Sequence, residues 1–223
     1  MGTNIELMAS DGHGFNAYLA EPINNPRGGI VVGMEMYGVN SYLKHVCEKF
    51  AGEGFTAIAP ALFDREEKGL VLSYDSEGMR RGKEISHNVN YDSILKDVMA
   101  AAEFISTDGK VAISGYCFGG TISWLAACRG QFDAAIVYYG SNMCDFPSEE
   151  PKCPVISHVG TLDTAVPPED VANFKIYRPE VSWYIYQGVK HGFDSYVRSE
   201  RYNASASALA WERTQDFLAK YID

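Results

Sequence analysis

One cysteine of the chain stands in a frame that suits a nucleophile. Residues 111–120 read VAISGYCFGG, an apolar run that brings Cys117 between Gly115 and Gly119. Small residues on both sides of a thiol permit the sharp strand-to-helix turn that exposes a nucleophile. The helix-like segment that follows would direct its positive end at the sulfur and favour the thiolate. The pattern alone is as compatible with a buried structural cysteine as with a catalytic one.

A nucleophilic thiol needs a base, and two histidines follow Cys117 in the chain. His158 lies within the apolar run VISHVG, where a histidine of the core is the better interpretation. His191 lies in GVKHGF, just past the last predicted strand and beside the turn residue Gly192. We therefore predict that His191 is the base.

The base in turn needs an acid to orient it, and Asp163 follows the strand VISHVG directly. Asp170 fits better as a first-turn residue of the next helix, where it would interact with the helix dipole. Nucleophile, acid and histidine then occur in the chain order typical of α/β-hydrolases, each after a strand. We predict a catalytic triad of Cys117, Asp163 and His191.

The elements that must position these residues alternate along the chain. Helical periodicity or a helix-like composition marks residues 41–54, 91–106, 168–177 and 206–222 and the segment after Cys117. Strand-like runs occur at residues 5–9, 15–21, 28–34, 55–60, 110–115, 134–140, 153–160 and 181–187. A turn at residues 10–12 predicts a hairpin of the first two strands. We expect one α/β-hydrolase domain over residues 1–223: a three-layer sandwich around a mostly parallel sheet of seven or eight strands, with an antiparallel N-terminal hairpin.

Composition limits the partners. The 223 residues carry a formal net charge of -10, which disfavours nucleic acid as a ligand. No apolar stretch is long enough to cross a membrane, and the N-terminus lacks the pattern of a signal peptide, so we expect a cytoplasmic protein without a membrane partner. The predicted partner is a small molecule, and the predicted state is a monomer or weak homo-oligomer.

Cofactor and metal motifs are missing from the sequence. The five cysteines are odd in number and form no Cys-x-x-Cys pair, which argues against a disulfide framework and a structural zinc site. No histidine-rich cluster or glycine-rich phosphate loop occurs either. We expect that the protein needs no metal or organic cofactor.

The motifs GYCFGG, HVGTLDTAVP and GVKHGF, with GMEMYGVN upstream, resemble those of the dienelactone hydrolases, a cysteine-nucleophile branch of the α/β-hydrolases. The resemblance runs from about residue 10 to the C-terminus. It implies a carboxylic-ester hydrolase that acts on a small enol-lactone. It also implies that Glu35 controls the protonation of the nucleophile, and a carboxylate there would raise the pKa of the Cys117 thiol. The backbone N–H of Met36, by resemblance, and that of Phe118, as the residue after the nucleophile, would form the oxyanion hole.

The resemblance further implies arginines that bind a substrate carboxylate. Residues 76–84, SEGMRRGKE, offer Arg80 or Arg81 in what we expect to be a loop, although a solvated surface pair is an equal alternative. The family's second arginine falls on Ser195, so an acid-bearing lactone is a doubtful substrate unless Arg198 or Arg201 replaces it. Tyr37 is expected to line the pocket.

Two other functions remain open on the sequence. The protein could be a general esterase or thioesterase, with Ser195 marking a lost acid-recognition site. Alternatively it could be a ligand-binding or redox-sensing module in which Cys117 reacts without turnover. The acid and base predicted beside Cys117 argue against the second alternative.

Overall fold

A computed structural model of the protein describes residues 2–106 and 109–223. The strands form one sheet in the order β1-β2-β4-β3-β5-β6-β7-β8. Their bounds are β1 Thr3–Met8, β2 Gly14–Ala20, β3 Gly29–Gly33, β4 Thr56–Pro60, β5 Val111–Tyr116, β6 Ala134–Tyr138, β7 Val155–Leu162 and β8 Ser182–Lys190. Strand β2 pairs antiparallel with β1 and β4, and every other pairing is parallel. The predicted strands and the N-terminal hairpin are confirmed.

The strand sequences follow from their depth in the sheet. Every residue of the central strands β3, β4, β5 and β6 is buried, which explains their continuous apolar runs. The edge strands β1 and β8 expose much of their length instead.

Helices cover both faces of the sheet. Their bounds are α1 Ser41–Gly52, α2 Ser76–Asn88, α3 Tyr91–Ile105, α4 Phe118–Arg129, α5 Pro168–Tyr177 and α6 Ala204–Tyr221. The chain crosses from β3 to β4 in one direction and from β4 through β5 to β8 in the other. Because crossovers are right-handed, α1 lies on one face and α3, α4 and α5 lie on the other. Helix α6 joins α1, since the rings of Phe50 and Trp211 are 4.8 Å apart. The three-layer prediction is confirmed.

Helix α2 corrects the sequence-based expectation of a loop at residues 76–84. Asp75 caps the helix, because its side chain accepts a hydrogen bond of 2.8 Å from the Gly78 N–H. Gly82 is buried, and a side chain there would collide with the Met36 carbonyl. The glycine that indicated a loop therefore permits the helix to pack closely on the segment after β3.

The topology brings five loops to one edge of the sheet. Strands β3, β5, β6, β7 and β8 are parallel, so the residues after each of them meet at the carboxyl edge. The direction of the crossovers reverses between β3 and β5, and a crevice at such a point is the usual ligand site of an open α/β sheet. No helix within the described residues is long and apolar enough to cross a membrane.

Candidate active site

Cys117 occupies a single-residue turn between β5 and α4. Its backbone has φ 56° and ψ −115°, a conformation that residues with a side chain rarely adopt. The Cys117 N–H donates to the Tyr138 carbonyl at 3.0 Å, which ties the turn to the neighbouring strand β6. The turn places Cys117 in the wall of a cavity of about 340 Å³.

The glycines around Cys117 are required by close backbone packing. A side chain on Gly119 would collide with the Gly33 carbonyl, and one on Gly115 would collide with the Gly119 carbonyl. The Gly119 N–H donates to the Met34 carbonyl at 2.9 Å across the same contact. The first turn of α4 thus lies directly against the end of β3, which only glycine permits.

Asp163 and His191 form a buried pair beside the cysteine. His191 Nδ1 lies 2.8 Å and 3.0 Å from the two carboxylate oxygens of Asp163, and as the donor it leaves Nε2 for the thiol side. The N–H groups of Ala165 and Val166 donate to Asp163 Oδ1 at 2.8 Å and 2.9 Å. These bonds orient the carboxylate, which in turn orients the imidazole.

The protonation of Cys117 and His191 is coupled. Burial raises the pKa of the Cys117 thiol, but the charge and hydrogen bond of His191 outweigh it, so the pKa lies below its ordinary value. Burial lowers the pKa of His191, but the Cys117 thiolate and the Asp163 hydrogen bond raise it by more, so the net pKa is raised to about 10. The geometry therefore favours a thiolate–imidazolium pair.

Glu35 lies fully buried behind this pair. Burial raises the pKa of its carboxyl group, and a hydrogen bond of 2.6 Å donated by the Tyr74 hydroxyl offsets part of the effect. Asn40 Nδ2 donates in turn to the Tyr74 hydroxyl at 2.9 Å, so the three side chains form a row of hydrogen bonds. Glu35 Oε1 has no hydrogen-bond partner among residues 2–106 and 109–223. The charge of Glu35 acts to raise the pKa of Cys117, as the sequence suggested, although the net shift of the thiol is downward.

Ser141 touches the sulfur from a third direction, which the sequence did not indicate. Its hydroxyl oxygen lies 3.1 Å from Cys117 Sγ, and its N–H donates to the Cys117 carbonyl at 3.3 Å. A serine shortly after the end of β6 was the available signal, because that strand neighbours β5 at the carboxyl edge.

Cationic side chains and a histidine other than His191 also line the cavity. Arg198 and Arg201 reach it from the segment after β8, and Lys83 and His87 reach it from α2. Arg198 is only 5% exposed, and its guanidinium lies over the rings of Tyr37 and Tyr74 at 5.5 Å and 5.0 Å. Ser195, by contrast, is fully buried and does not line the cavity.

Arg80 and Arg81 do not lie at the cavity. The side chains are 62% and 38% exposed and pair with glutamates, Arg80 with Glu77 and Glu84 and Arg81 with Glu67 and Glu84. Helical geometry explains this departure from the expectation. The face of α2 that lines the cavity is composed of Met79, Lys83, Ser86 and His87. At about 100° per residue, position 81 points away from that face, whereas position 80 lies at its edge, where Arg80 pairs with Glu77 and Glu84.

The remaining predicted site residues line the cavity. They are Met36, Tyr37 and Phe118. Phe118 begins α4, so its N–H is among the first four of the helix, which lack partners within it. Across the part of the chain that the structure describes, no group of three or more histidine, cysteine or acidic residues is placed to hold a metal ion.

Known proteins resemble the chain over nearly its full length. A profile of the Dienelactone hydrolase family matches residues 15–222. The carboxymethylenebutenolidase of Pseudomonas putida is 30% identical over 225 residues, which cover 96% of this chain and 95% of that protein. A putative carboxymethylenebutenolidase of Synechocystis sp. is also 30% identical and covers 90% of this chain and 89% of its own length.

A solved structure agrees in fold. The putative dienelactone hydrolase from Klebsiella pneumoniae superimposes with a TM-score of 0.87 at 24% sequence identity, covering 99% of this chain and 100% of that one. The sheet order and the position of Cys117 between β5 and α4 fit the same α/β-hydrolase architecture. The chain is therefore a hydrolase and belongs to the dienelactone hydrolase family.

Proposed function

We propose that the protein hydrolyses a small carboxylic ester or enol-lactone that carries an anionic group, and that Cys117, His191 and Asp163 form its catalytic triad. The observation that carries this proposal is the buried His191, held by both oxygens of Asp163 beside a thiol of lowered pKa. A nucleophile, a base and an orienting acid in mutual contact are the set that acyl transfer requires.

The first half of the reaction forms an acyl-enzyme. The Cys117 thiolate attacks the ester carbonyl, and the charge moves from sulfur to the carbonyl oxygen. The N–H groups of Met36 and Phe118 stabilise this oxyanion. As the C–O bond breaks, His191 gives its proton to the leaving alkoxide or enolate and becomes neutral.

The second half returns the enzyme to its starting state. Neutral His191 takes a proton from a water molecule, and the resulting hydroxide attacks the thioester carbonyl. Collapse of the second tetrahedral intermediate expels the Cys117 thiolate, which again pairs with protonated His191. Asp163 keeps the imidazole in one orientation through both halves.

Glu35 is proposed to regulate the nucleophile. It is fully buried, and its carboxylate form would repel a thiolate at Cys117. Burial shifts Glu35 toward its neutral form, which relieves that repulsion. A negative charge on Glu35 would therefore return the thiol toward its protonated state.

The anionic group of the substrate is inferred from the charges around the cavity. Lys83, Arg198 and Arg201 line it, and Arg198 is almost fully buried against the neighbouring rings of Tyr37 and Tyr74. Arg198 Nε lies 3.6 Å from a carboxylate oxygen of Glu200, whose side chain is 65% exposed, so an anionic group of a substrate in the cavity would supply a second countercharge to the buried guanidinium. Arg198 thereby offers a cation for the carboxylate of the substrate, which Ser195, at the position of the family's second arginine, cannot supply.

A steady-state assay with two substrates tests both parts of the proposal. The substrates are a dienelactone that carries a carboxylate and the neutral ester p-nitrophenyl acetate. The enzymes are the wild type, Cys117→Ala and the control Cys153→Ala, whose cysteine lies outside the cavity. We expect wild-type kcat/KM to favour the dienelactone, and Cys117→Ala to lose at least about a thousandfold on both substrates.

Each outcome decides one part. Turnover of the neutral ester alone would keep the nucleophile and reject the anionic substrate, pointing to a general esterase. Turnover that survives in Cys117→Ala would reject the triad. Cys153→Ala must retain wild-type activity for either conclusion to hold.

A further inference from the structure

Ser141 is fixed against the nucleophile by the backbone around it. Tyr139, two residues earlier, has φ 42°, a rare conformation that turns the chain after β6 toward Cys117. The Ser141 N–H then bonds the Cys117 carbonyl at 3.3 Å. The next residue is tied to α4, since the Asn142 N–H donates to Thr121 Oγ1 at 3.0 Å. The hydroxyl is therefore held at 3.1 Å from Cys117 Sγ.

The contact has a chemical direction once the thiol ionises. A thiolate carries no proton and can only accept, so the hydroxyl must be the donor. A hydrogen bond to a charged acceptor is stronger than the bond that the weakly polar S–H group makes. The contact therefore stabilises the thiolate more than the thiol.

Other charged or titratable groups face the sulfur from the neighbouring segments. They are His191 after β8, Glu35 and Tyr37 after β3, and the cation Arg198 at the cavity wall. His191 favours the thiolate, whereas Glu35 opposes it. Ser141 is uncharged, so it adds a donor to the sulfur without adding a group that titrates near neutral pH.

We propose that Ser141 is a further catalytic residue, whose hydroxyl donates a hydrogen bond to the Cys117 thiolate and divides its stabilisation with His191. The proposal rests on the proposed function only in taking Cys117 as the nucleophile. The hydrogen bond from Ser141 has two opposing effects on the reactivity of Cys117. A donor on sulfur increases the thiolate fraction, but it also makes the thiolate less nucleophilic, because nucleophilicity falls with pKa.

This double effect yields a signature that a structural role would not produce. Removal of the hydroxyl should raise the apparent pKa of Cys117 by about one unit. With a Brønsted slope near 0.5, the rate at which the thiolate reacts should rise about threefold. The variant should therefore react about threefold faster than the wild type above both pKa values and about threefold slower below them. The two pH profiles should cross.

The test measures the rate of alkylation of Cys117 by iodoacetamide against pH, with the ultraviolet absorbance of the thiolate as a second readout. The variants are Ser141→Val and Ser141→Thr, which share one shape and differ in the hydroxyl, with Ser141→Ala as a smaller replacement. Ser106→Ala removes a hydroxyl far from the site, one that donates to the Glu103 carbonyl. Burial raises the pKa of Cys153 to about 11 and of Cys128 and Cys144 to about 12, and it raises that of Cys47 further. Cys117→Ala supplies the background.

We expect the pH profiles of Ser141→Val and Ser141→Ala to be shifted and to cross the wild-type profile. The profiles of Ser141→Thr and Ser106→Ala should follow that of the wild type. Coincident profiles for Ser141→Val and Ser141→Thr would overturn the proposal, as would a wild-type thiol that titrates in its ordinary range. Alkylation does not depend on ester turnover. Hydrolysis that persists in Cys117→Ala would thus reject the proposed function separately from the result at Ser141.

Discussion

Two buried histidines in the C-terminal half of the sheet have opposite protonation. Among the residues that the structure describes, the hydrogen-bond partners of His158, inside β7, are hydroxyls: Tyr186 at 2.8 Å on Nδ1 and Thr214 at 3.2 Å on Nε2. Burial and then the nearby cation Arg213 lower its pKa to about 3. The pKa of His191, beside the Asp163 carboxylate and the Cys117 thiol, is raised to about 10.

The contrast shows what sets the protonation of a buried histidine in this protein. Burial lowers the pKa of both imidazoles, because it disfavours the charged form. Hydroxyl partners leave that effect in place and produce a neutral histidine of the core. A carboxylate on one ring nitrogen and an ionisable thiol on the other reverse it. The anionic neighbours, rather than depth in the protein, therefore determine which of the two histidines has a raised pKa.

The substitution Asp163→Asn should break the comparison with the largest effect, because it replaces the carboxylate that holds His191 Nδ1 with an uncharged amide. We expect kcat/KM to fall by about 10⁴ and the apparent pKa of Cys117 to rise, since the imidazolium loses its acceptor. Asp170→Asn is the matched control, because Asp170 lies in the first turn of α5. A loss of less than tenfold in Asp163→Asn would contradict the assigned role of the carboxylate.

The pH dependence of stability should separate the two histidines by sign. The pKa of His158 falls from 6.5 to about 3 on folding, so the unfolded chain binds its proton first. The free energy of unfolding should therefore decline as pH falls from 6.5 toward 3, with a contribution from this group of at most about 1.4 kcal/mol per pH unit. The raised pKa of His191 acts in the reverse sense: its contribution is present below pH 6.5 and is lost as pH rises toward 10. The lowered pKa of Cys117 offsets part of this loss below pH 9, the ordinary value of the thiol, so the decline should be steepest above pH 9.

Chemical denaturation over a pH series checks both slopes. His158→Gln should flatten the acid side and leave the alkaline side unchanged, and His191→Gln should do the opposite. If the two variants change the same side, the protonation state assigned to one of the two histidines is wrong.

The smallest effect is expected from Tyr186→Phe, which removes an uncharged partner of His158. One buried ring nitrogen loses its hydrogen bond, so the free energy of unfolding should fall by about 1 kcal/mol, with kcat/KM unchanged. Tyr184→Phe is the control, because that ring stacks on His158 at 5.4 Å. The control should change stability by less than about 0.5 kcal/mol. A change in kcat/KM for Tyr186→Phe would show that the network of His158 reaches the site.

The sequence predicted the parts of this protein that depend on short, local patterns. Buried parallel strands are nearly continuous apolar runs, so the strands were found within a few residues. The closeness of Asp163 and His191 followed from chain order, because both come after strands that end at one edge of the sheet. The catalytic role of the triad stays a prediction.

Other parts of the site were missed for physical reasons. Gly82 indicated a loop because close packing and a turn demand the same residue type. The resemblance offered Arg80 or Arg81 without deciding between them, whereas α2 presents Lys83 to the cavity and both arginines pair with glutamates outside it. Ser141 and Tyr74 are placed by loops, and no periodic pattern encodes where a loop carries a hydroxyl.

The stacked backbones of Gly33, Gly115 and Gly119 determine where this enzyme can be altered by directed evolution. A side chain at any of the three positions would collide with the main chain of another segment. A rotamer change cannot relieve that collision. Libraries aimed at the nucleophile turn would consist mainly of misfolded protein. The productive diversity lies elsewhere in the cavity lining, in the cavity face of α2 and at Arg198 and Arg201, where substrate preference can vary while the thiol keeps its place.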